Sequence, residues 1–240
     1  MEYGIQMYGV RDMASENFEK AVREVSKLGY SNLEFAGFFD RTAEQVVRLL
    51  EENNVRVSGT HSSLDDLINN YDSTVDFHKA IGNKLYIIPG YKLSCQSEID
   101  YFVEWVNKLN DKLALDGITL AFHNHWKEFV PNADGSVAFE QILYRTDIKL
   151  EVDTYWAFIG MNNPITLLDR VADRLVAIHI KDGDADKNGT PLGMGDAPVK
   201  EVYEKALSLG LPLIVESETC NPSGIKEAEI CMNYLKSLEK

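Results

Sequence analysis

The segment Leu120-Ala-Phe-His-Asn-His-Trp-Lys-Glu-Phe129 joins an apolar run to three groups that can move protons or bind metal, His123, His125 and Glu128. If residues 118–125 are extended, strand alternation points His123 and His125 to the same face. Alone, the segment reads equally well as two histidines in a surface loop. It gains meaning because the same construction recurs: short apolar runs occupy residues 3–8, 31–36, 55–60, 84–88, 117–123, 148–153, 175–180 and 212–216, and most of them end in polar groups. Several are apolar on both faces, as strands covered on both sides are.

Helical spacing fills the intervals. Phe18, Ala21, Val22, Val25 and Leu28 mark one face that Gly29 closes, and Val46, Val47, Leu49 and Leu50 mark another that ends at Asn53-Asn54. Ile99, Phe102, Val103, Val106, Leu109 and Leu113 stop before Asp116-Gly117, and Pro198 opens a helix that closes at Gly210. Ala228, Cys231, Tyr234 or Leu235, and Leu238 mark the last. Eight strands alternating with eight helices over 240 residues predict an α/β chain folded as a (β/α)8 TIM barrel, whose usual length is ~250 residues. The expected organisation is a single domain over residues 1–240. A doubly wound parallel sheet is the alternative, and it is disfavoured because no G-x-G-x-x-G turn follows the first strand.

Charge narrows the partners. With 38 acidic and 24 basic residues, a net charge of −14 and no Lys/Arg cluster, the chain is expected to bind neither nucleic acid nor anionic membrane. No apolar run reaches the ~18–20 residues of a membrane span, and no basic-then-apolar leader opens the chain. Cys95, Cys220 and Cys231 are odd in number and lack C-x-x-C spacing, so a reduced, cytoplasmic setting is expected.

Barrel enzymes place their chemistry at the C-terminal ends of the strands. In this chain those ends carry Glu34, His61, His123 with His125 and Glu128, Asp153 with Trp156, His179 with Lys181, and Glu216. Four of the five histidines fall there, with only His78 in a predicted helix; random placement would scatter them. Each has a structural reading: Asp153 as a strand-end cap, Glu216 paired with Lys181, His179 as a hydrogen-bonded core histidine. Their convergence on one rim outweighs those readings. Asp153, His179, Glu216 and a histidine of the fifth strand (His123 or His125) would give a mixed oxygen and nitrogen sphere from four consecutive strands. That sphere suits one divalent ion, with Mn2+, Mg2+, Co2+ or Fe2+ favoured over Zn2+.

Phe122-His-Asn-His-Trp-Lys-Glu-Phe129, Val152-Asp-Thr-Tyr-Trp156, Ile178-His-Ile-Lys-Asp182, Gly193-Met-Gly-Asp196 and Ile214-Val-Glu216 together resemble the xylose isomerase-like TIM-barrel superfamily. This is the sugar phosphate isomerase/epimerase group that also includes apurinic endonuclease family 2. The resemblance runs over nearly the whole chain. It implies a divalent metal held by acidic residues on strands 5, 6 and 8 and a histidine on strand 7. Asp153, His179 and Glu216 match three of those positions, and His123-Asn-His125 stands where the epimerases place a glutamate. The His-x-His form looks like inosose dehydratase-type members. Glu34 and His61 resemble substrate-side residues.

The implied reaction is proton abstraction next to a carbonyl, through an enediolate, on a ketose, keto-sugar or related polyol. Glu216 is the expected base, with Glu128 or His61 handling the other proton. Glu34, His61, His125, Trp156 and Lys181 are expected to bind substrate, and Trp126 and Phe38 are further candidates for apolar contact with a sugar ring. Return of the proton gives an isomer or epimer; loss of a β-hydroxyl gives the dehydration of an inosose dehydratase-type lyase. A catalytically idle sugar-binding barrel is the alternative of another class. A neutral sugar or cyclitol is the expected partner, because the loop Lys181–Thr190 is more acidic than basic and offers phosphate little. A homo-oligomer through the helical shell would be ordinary for the fold.

Overall fold

The structure is a computed structural model and describes residues 2–161 and 163–239. In chain order its strands are β1 (Gly4–Gln6), β2 (Asn32–Phe35), β3 (Arg56–His61), β4 (Leu85–Ile88), β5 (Thr119–His123), β6 (Lys149–Asp153), β7 (Leu175–Ile180), β8 (Asp182–Gly183), β9 (Gly189–Thr190) and β10 (Leu213–Val215). All but β8 and β9 form one closed parallel barrel, with β1 pairing to both β2 and β10 to seal the ring. The expected (β/α)8 barrel is the fold observed. β8 and β9 make a small antiparallel hairpin in the loop above β7.

Local sequence explains the helices. Phe18–Leu28 buries Phe18, Ala21, Val22 and Val25; the Asn17 side chain caps it by accepting from Lys20 N–H, and Gly29 ends it at φ +107°. Ala43–Asn53 begins with a reciprocal Thr42/Gln45 capping box and ends at Asn54 in the left-handed region. More helices form than the eight predicted, because three connections are broken in the middle. Arg11–Glu16 and Phe18–Leu28 divide at Asn17. Leu64–Asn69 and Tyr71–Ala80 divide at Asn70. Thr154–Met161 is followed by Pro164–Arg170, where Asn163 caps a proline-led turn. Two strands end sooner than the reading of residues 3–8 and 118–125 as extended implies. β1 stops at Gln6, whose side-chain oxygen accepts Tyr8 N–H and starts a 3-10 turn over Met7–Val10. β5 stops at His123, so His125 lies beyond the strand.

The apolar core is the layer between sheet and helices, where Leu33, Phe122, Val152, Ile178 and Ile180 are each at most 1% exposed. Among the described residues no helix is long and apolar enough to cross a membrane. Burial extends to His78, which packs edge-on against Tyr86 with ring centroids 4.9 Å apart and hydrogen-bonds through Nδ1 to Thr60 and Asn83. Desolvation pushes its pKa down from 6.5 to about 4. The unfolded chain therefore takes up a proton first as pH falls. The stability contributed by neutral His78 is complete above pH 6.5 and is lost between 6.5 and 4, by about 3 kcal/mol at most. Urea unfolding at pH 7 and pH 4 should show wild type losing more stability than His78→Gln by about that amount; equal losses would contradict the assignment.

Candidate active site

Alternation on the strands sends one set of side chains into the barrel, and contacts between strands that are not neighbours identify the set. His179 Nε2 on β7 lies 2.7 Å from Glu34 Oε1 on β2, and His61 Nε2 on β3 lies 2.8 Å from Glu151 Oε2 on β6. Such pairs can meet only across the barrel axis. Gly59 leaves room for them: a Cβ there would stand 2.8 Å from Ile87 Cδ1 and 3.2 Å from Glu34 Oε2.

These four side chains form a lower tier in which each carboxylate touches both imidazoles. His61 Nε2 is also 3.1 Å from Glu34 Oε1, and His179 Nε2 is 3.1 Å from Glu151 Oε2. Gln6 Nε2 donates to Glu34 Oε1 at 2.7 Å. The two imidazole rings stack at 5.2 Å. Burial opposes charge on Glu34, His61 and His179, yet attraction prevails. Against desolvation, His179 and His61 hold the Glu34 carboxyl well below its ordinary range. Against desolvation, Glu34 and Glu151 raise His61 to about 9 and lift His179 as well. The tier is an ion-paired floor.

An upper tier stands on it. Nδ1 of His179 is 3.3 Å from Glu216 Oε2, while His123 Nε2 is 3.7 Å from Asp153 Oδ2 and 3.9 Å from Glu216 Oε2. Asp153 Oδ1 accepts Trp156 N–H at 2.7 Å, which turns Oδ2 inward. Asn124 locks β5 to β6 by exchanging hydrogen bonds with the Asp153 backbone at 3.1 and 3.2 Å. His123 Nδ1 lies 3.4 Å from the Pro89 carbonyl, an arrangement that leaves the Nε2 lone pair free. Both His123 Nε2 and Asp153 Oδ2 are buried and make no hydrogen bond to any described residue.

Donor atoms ~2.1 Å from a common ion sit roughly 3–3.4 Å from one another, a little closer than these. The donor atoms of His123, Asp153, His179 and Glu216 all lie within 4.8 Å of one another, and two of them lack partners, so the set fits one divalent ion. A second possible group among the described residues, His61, His123, Glu151 and His179, shares two members with the first. It is the weaker choice, because its His61 and His179 Nε2 atoms already share protons with Glu151 and Glu34. An ion bound there would displace the Nδ1 proton of His179 while Nε2–H stays fixed from below, as in most metal-binding histidines.

Lys181 stands beside this group. Its Nζ is 2.8 Å from Glu218 Oε1, 3.3 Å from Glu216 Oε2 and 3.9 Å from Asp153 Oδ2, and it lies over the Trp156 ring at 4.5 Å. Burial disfavours its charge, but Glu216, Asp153 and Glu218 raise its pKa above the ordinary lysine value. It remains a cation.

A cavity of about 750 Å3 opens over the upper tier, with His61, His123, His125, Glu216 and Glu218 on its inner side. Burial lowers His125 to about 3 and keeps it neutral. Trp156 flanks Lys181 and lies 6.1 Å from the His125 ring. Lys181 and Trp156 flank the donor set without lining the cavity, and two further predicted substrate or catalytic residues stand elsewhere. Glu34 lies fully buried behind His179 and does not line the cavity. Glu128 folds back on its own 3-10 turn, Lys127–Phe129, where Oε2 accepts His125 N–H at 2.9 Å. It lines a separate crevice with Tyr91 and Asn132, and desolvation raises its pKa.

Three contributors escape a reading by strand ends. Glu151 precedes Asp153 by one alternation and so shares its inward face, which was a usable signal. Glu218 follows Glu216 by one alternation, but both lie past the end of β10, so the spacing alone did not place it. Asp182, buried, accepts N–H groups from Gly183, Gly193, Gly195 and Ala197. The Gly193-Met-Gly-Asp196 motif is thus a strap wound around a carboxylate next to Lys181.

Comparison with known proteins follows the same lines. The family model of the xylose isomerase-like TIM barrel matches residues 22–238. An inosose dehydratase of Clostridium beijerinckii is 27% identical over an alignment of length 203 that covers 73% of this chain and 67% of that relative. Among solved structures, a sugar phosphate isomerase/epimerase from Parabacteroides distasonis superposes with a TM-score of 0.85 at 19% identity, covering 98% of this chain and 93% of its own. A probable 3-DHS dehydratase from Bacillus anthracis superposes with a TM-score of 0.78 at 13% identity, covering 98% and 99%. At these identities the two structures are alike in fold.

Proposed function

The chain belongs to the xylose isomerase-like TIM-barrel family, and from that premise we propose that it is a divalent-metal-dependent sugar isomerase or epimerase. In this reading it removes the proton next to the carbonyl of a neutral ketose, keto-sugar or keto-cyclitol. The observation that carries the reading is the convergence of His123, Asp153, His179 and Glu216, with two buried donor atoms unpartnered, at the floor of a 750 Å3 cavity. A divalent ion held by those four side chains would polarise the carbonyl and stabilise the enediolate charge.

The chain's own groups divide the remaining work. Glu34 and Glu151 hold the His179 Nε2 proton, which aims Nδ1 upward. Lys181 keeps a positive charge beside the carboxylates, where an oxyanion would gain from it. Glu216 is the base: its contacts with His179, His123 and Lys181 are all made by Oε2, leaving Oε1 for the substrate proton. His61, on the cavity wall, is the partner for the second proton. A neutral substrate is supported by Lys181, whose charge is already matched by Glu216 and Glu218.

Dehydration through the same enediolate is the second reading. It is favoured by Glu128 turning away, which removes a carboxylate from the cavity that an epimerase would use on the opposite face of the carbon. The inosose dehydratase relative points the same way. Solvent deuterium exchange into a panel of ketoses, keto-sugars and inososes, with Mn2+-loaded protein, decides between them. Exchange without loss of water is expected for an isomerase or epimerase, and a dehydrated product for a lyase. Neither exchange nor product with any member would overturn the enediolate reading.

A further inference from the structure

The cavity is larger than the substrates named above require. A six-carbon sugar displaces on the order of six waters at ~30 Å3 each, and so leaves more than half of the 750 Å3 unfilled. Away from the donor set the cavity is lined by the loop that follows β2 and by Thr74, Phe77 and His78 of the helix Tyr71–Ala80. Phe38 and Phe77 form its wall, with ring centroids 4.8 Å apart and planes at 61°. Such a pair of rings presents a face and an edge to a third ring.

The charges around this annex are also one-sided. Asp40 and Asp66 line it. Among the described lining residues its one lysine or arginine, Arg41, is committed: Nε and Nη2 lie 3.0 and 3.1 Å from the Glu19 carboxylate, and Nη1 donates to the Phe39 carbonyl. An anionic substituent would meet two carboxylates and no unpaired cation among the described lining residues. The volume also falls in the ~300–1,000 Å3 range of pockets that enclose ligands larger than a monosaccharide.

We infer that the annex is a substrate subsite for a neutral aromatic substituent, so that the substrate is a sugar or cyclitol bearing an aromatic ring, seated on Phe38 and Phe77. The inference rests on the reading of the site as a sugar site. Phenyl and methyl β-D-glucopyranoside, titrated calorimetrically into the Mn2+-loaded protein, test it. The phenyl compound is expected to bind about tenfold tighter or more. Phe77→Ala should bring the two within about threefold while leaving the methyl glucoside and Mn2+ affinities unchanged, and Phe77→Leu should fall between. The methyl glucoside is the internal control for folding, since a misfolded variant loses both ligands.

Equal affinities in wild type, a phenyl preference untouched by Phe77→Ala, or no binding of either glucoside at tens of millimolar would each overturn the inference. The two readings fail separately. A phenyl preference without deuterium exchange in any keto-sugar sinks the enediolate chemistry alone. Exchange into unsubstituted keto-sugars without a phenyl preference sinks the aromatic subsite alone.

Discussion

Asp153→Asn is expected to lose the bound divalent ion and the activity together. The substitution keeps shape and keeps an acceptor for Trp156 N–H, the hydrogen bond that orients the side chain at 2.7 Å. It removes the charge from the buried, unpartnered Oδ2 that faces His123 Nε2 at 3.7 Å. Partners that merely orient a metal ligand cost about 10–100-fold in affinity when removed, so loss of a ligand charge should cost at least ~100-fold. Calorimetric titration with Mn2+ measures this directly. Because an ion that binds only the folded chain raises its stability by mass action, the Mn2+-dependent rise in melting temperature should also vanish in the variant. His125→Gln is the companion: His125 lies outside the converging donor set, and its Mn2+ affinity should stay within a few-fold of wild type. Unchanged Mn2+ binding by Asp153→Asn, or a collapse in His125→Gln, would show that the donor set is wrongly assigned.

Glu151→Ala should produce the largest loss of stability in the molecule. Glu151 is completely buried between His61 and His179, at 2.8 and 3.1 Å. Removing one partner from a buried ionic group strands the others and costs about 3–5 kcal/mol. For a chain of this size each kcal/mol lowers the melting temperature by ~2–4 °C, so a fall of roughly 6–20 °C is expected. Measurement with the chelator EDTA present separates this effect from loss of ion. The variant should also bind Mn2+ about 10–100-fold more weakly, because the His179 ring loses one of the two carboxylates that fix it. Removing both members of a pair, with Glu151→Met and His61→Leu combined, should recover much of the stability and none of the ion affinity. A loss below about 1 kcal/mol for Glu151→Ala would mean that the lower tier is not held by charge.

The recovery expected of the double substitution shows what the lower tier is for. Apolar side chains would pack the barrel floor as well as two carboxylates and two imidazoles do. They would not present Nδ1 of His179 to the cavity with its other nitrogen protonated. The ion-paired floor therefore belongs to the chemistry of the upper tier, and its cost is carried by the apolar layer outside the sheet.

The barrel and the donor cluster proposed to hold a metal were legible in the chain because both depend on short-range regularities. Strand alternation has a period of two, helices carry their own caps at Asn17, Thr42 and Gly29, and the fold brings successive strand ends to one rim. Asp153, His179 and Glu216 could therefore be read as neighbours from three consecutive barrel strands, β6, β7 and β10. What only the tertiary structure decided lies across the barrel axis or past a strand end. The meetings of β3 with β6 and of β2 with β7 depend on how the closed sheet is staggered, which no local spacing encodes. Glu34 therefore reads from sequence as a substrate contact and proves to be the support behind His179, and Glu151 goes unnoticed until the ring closes. Beyond the last strand residue the period of two lapses. At β5 the alternation holds through His123, then Asn124 turns to bind the Asp153 backbone. His123 joins the converging donor cluster, His125 faces the cavity, and Glu128 folds back onto His125 N–H.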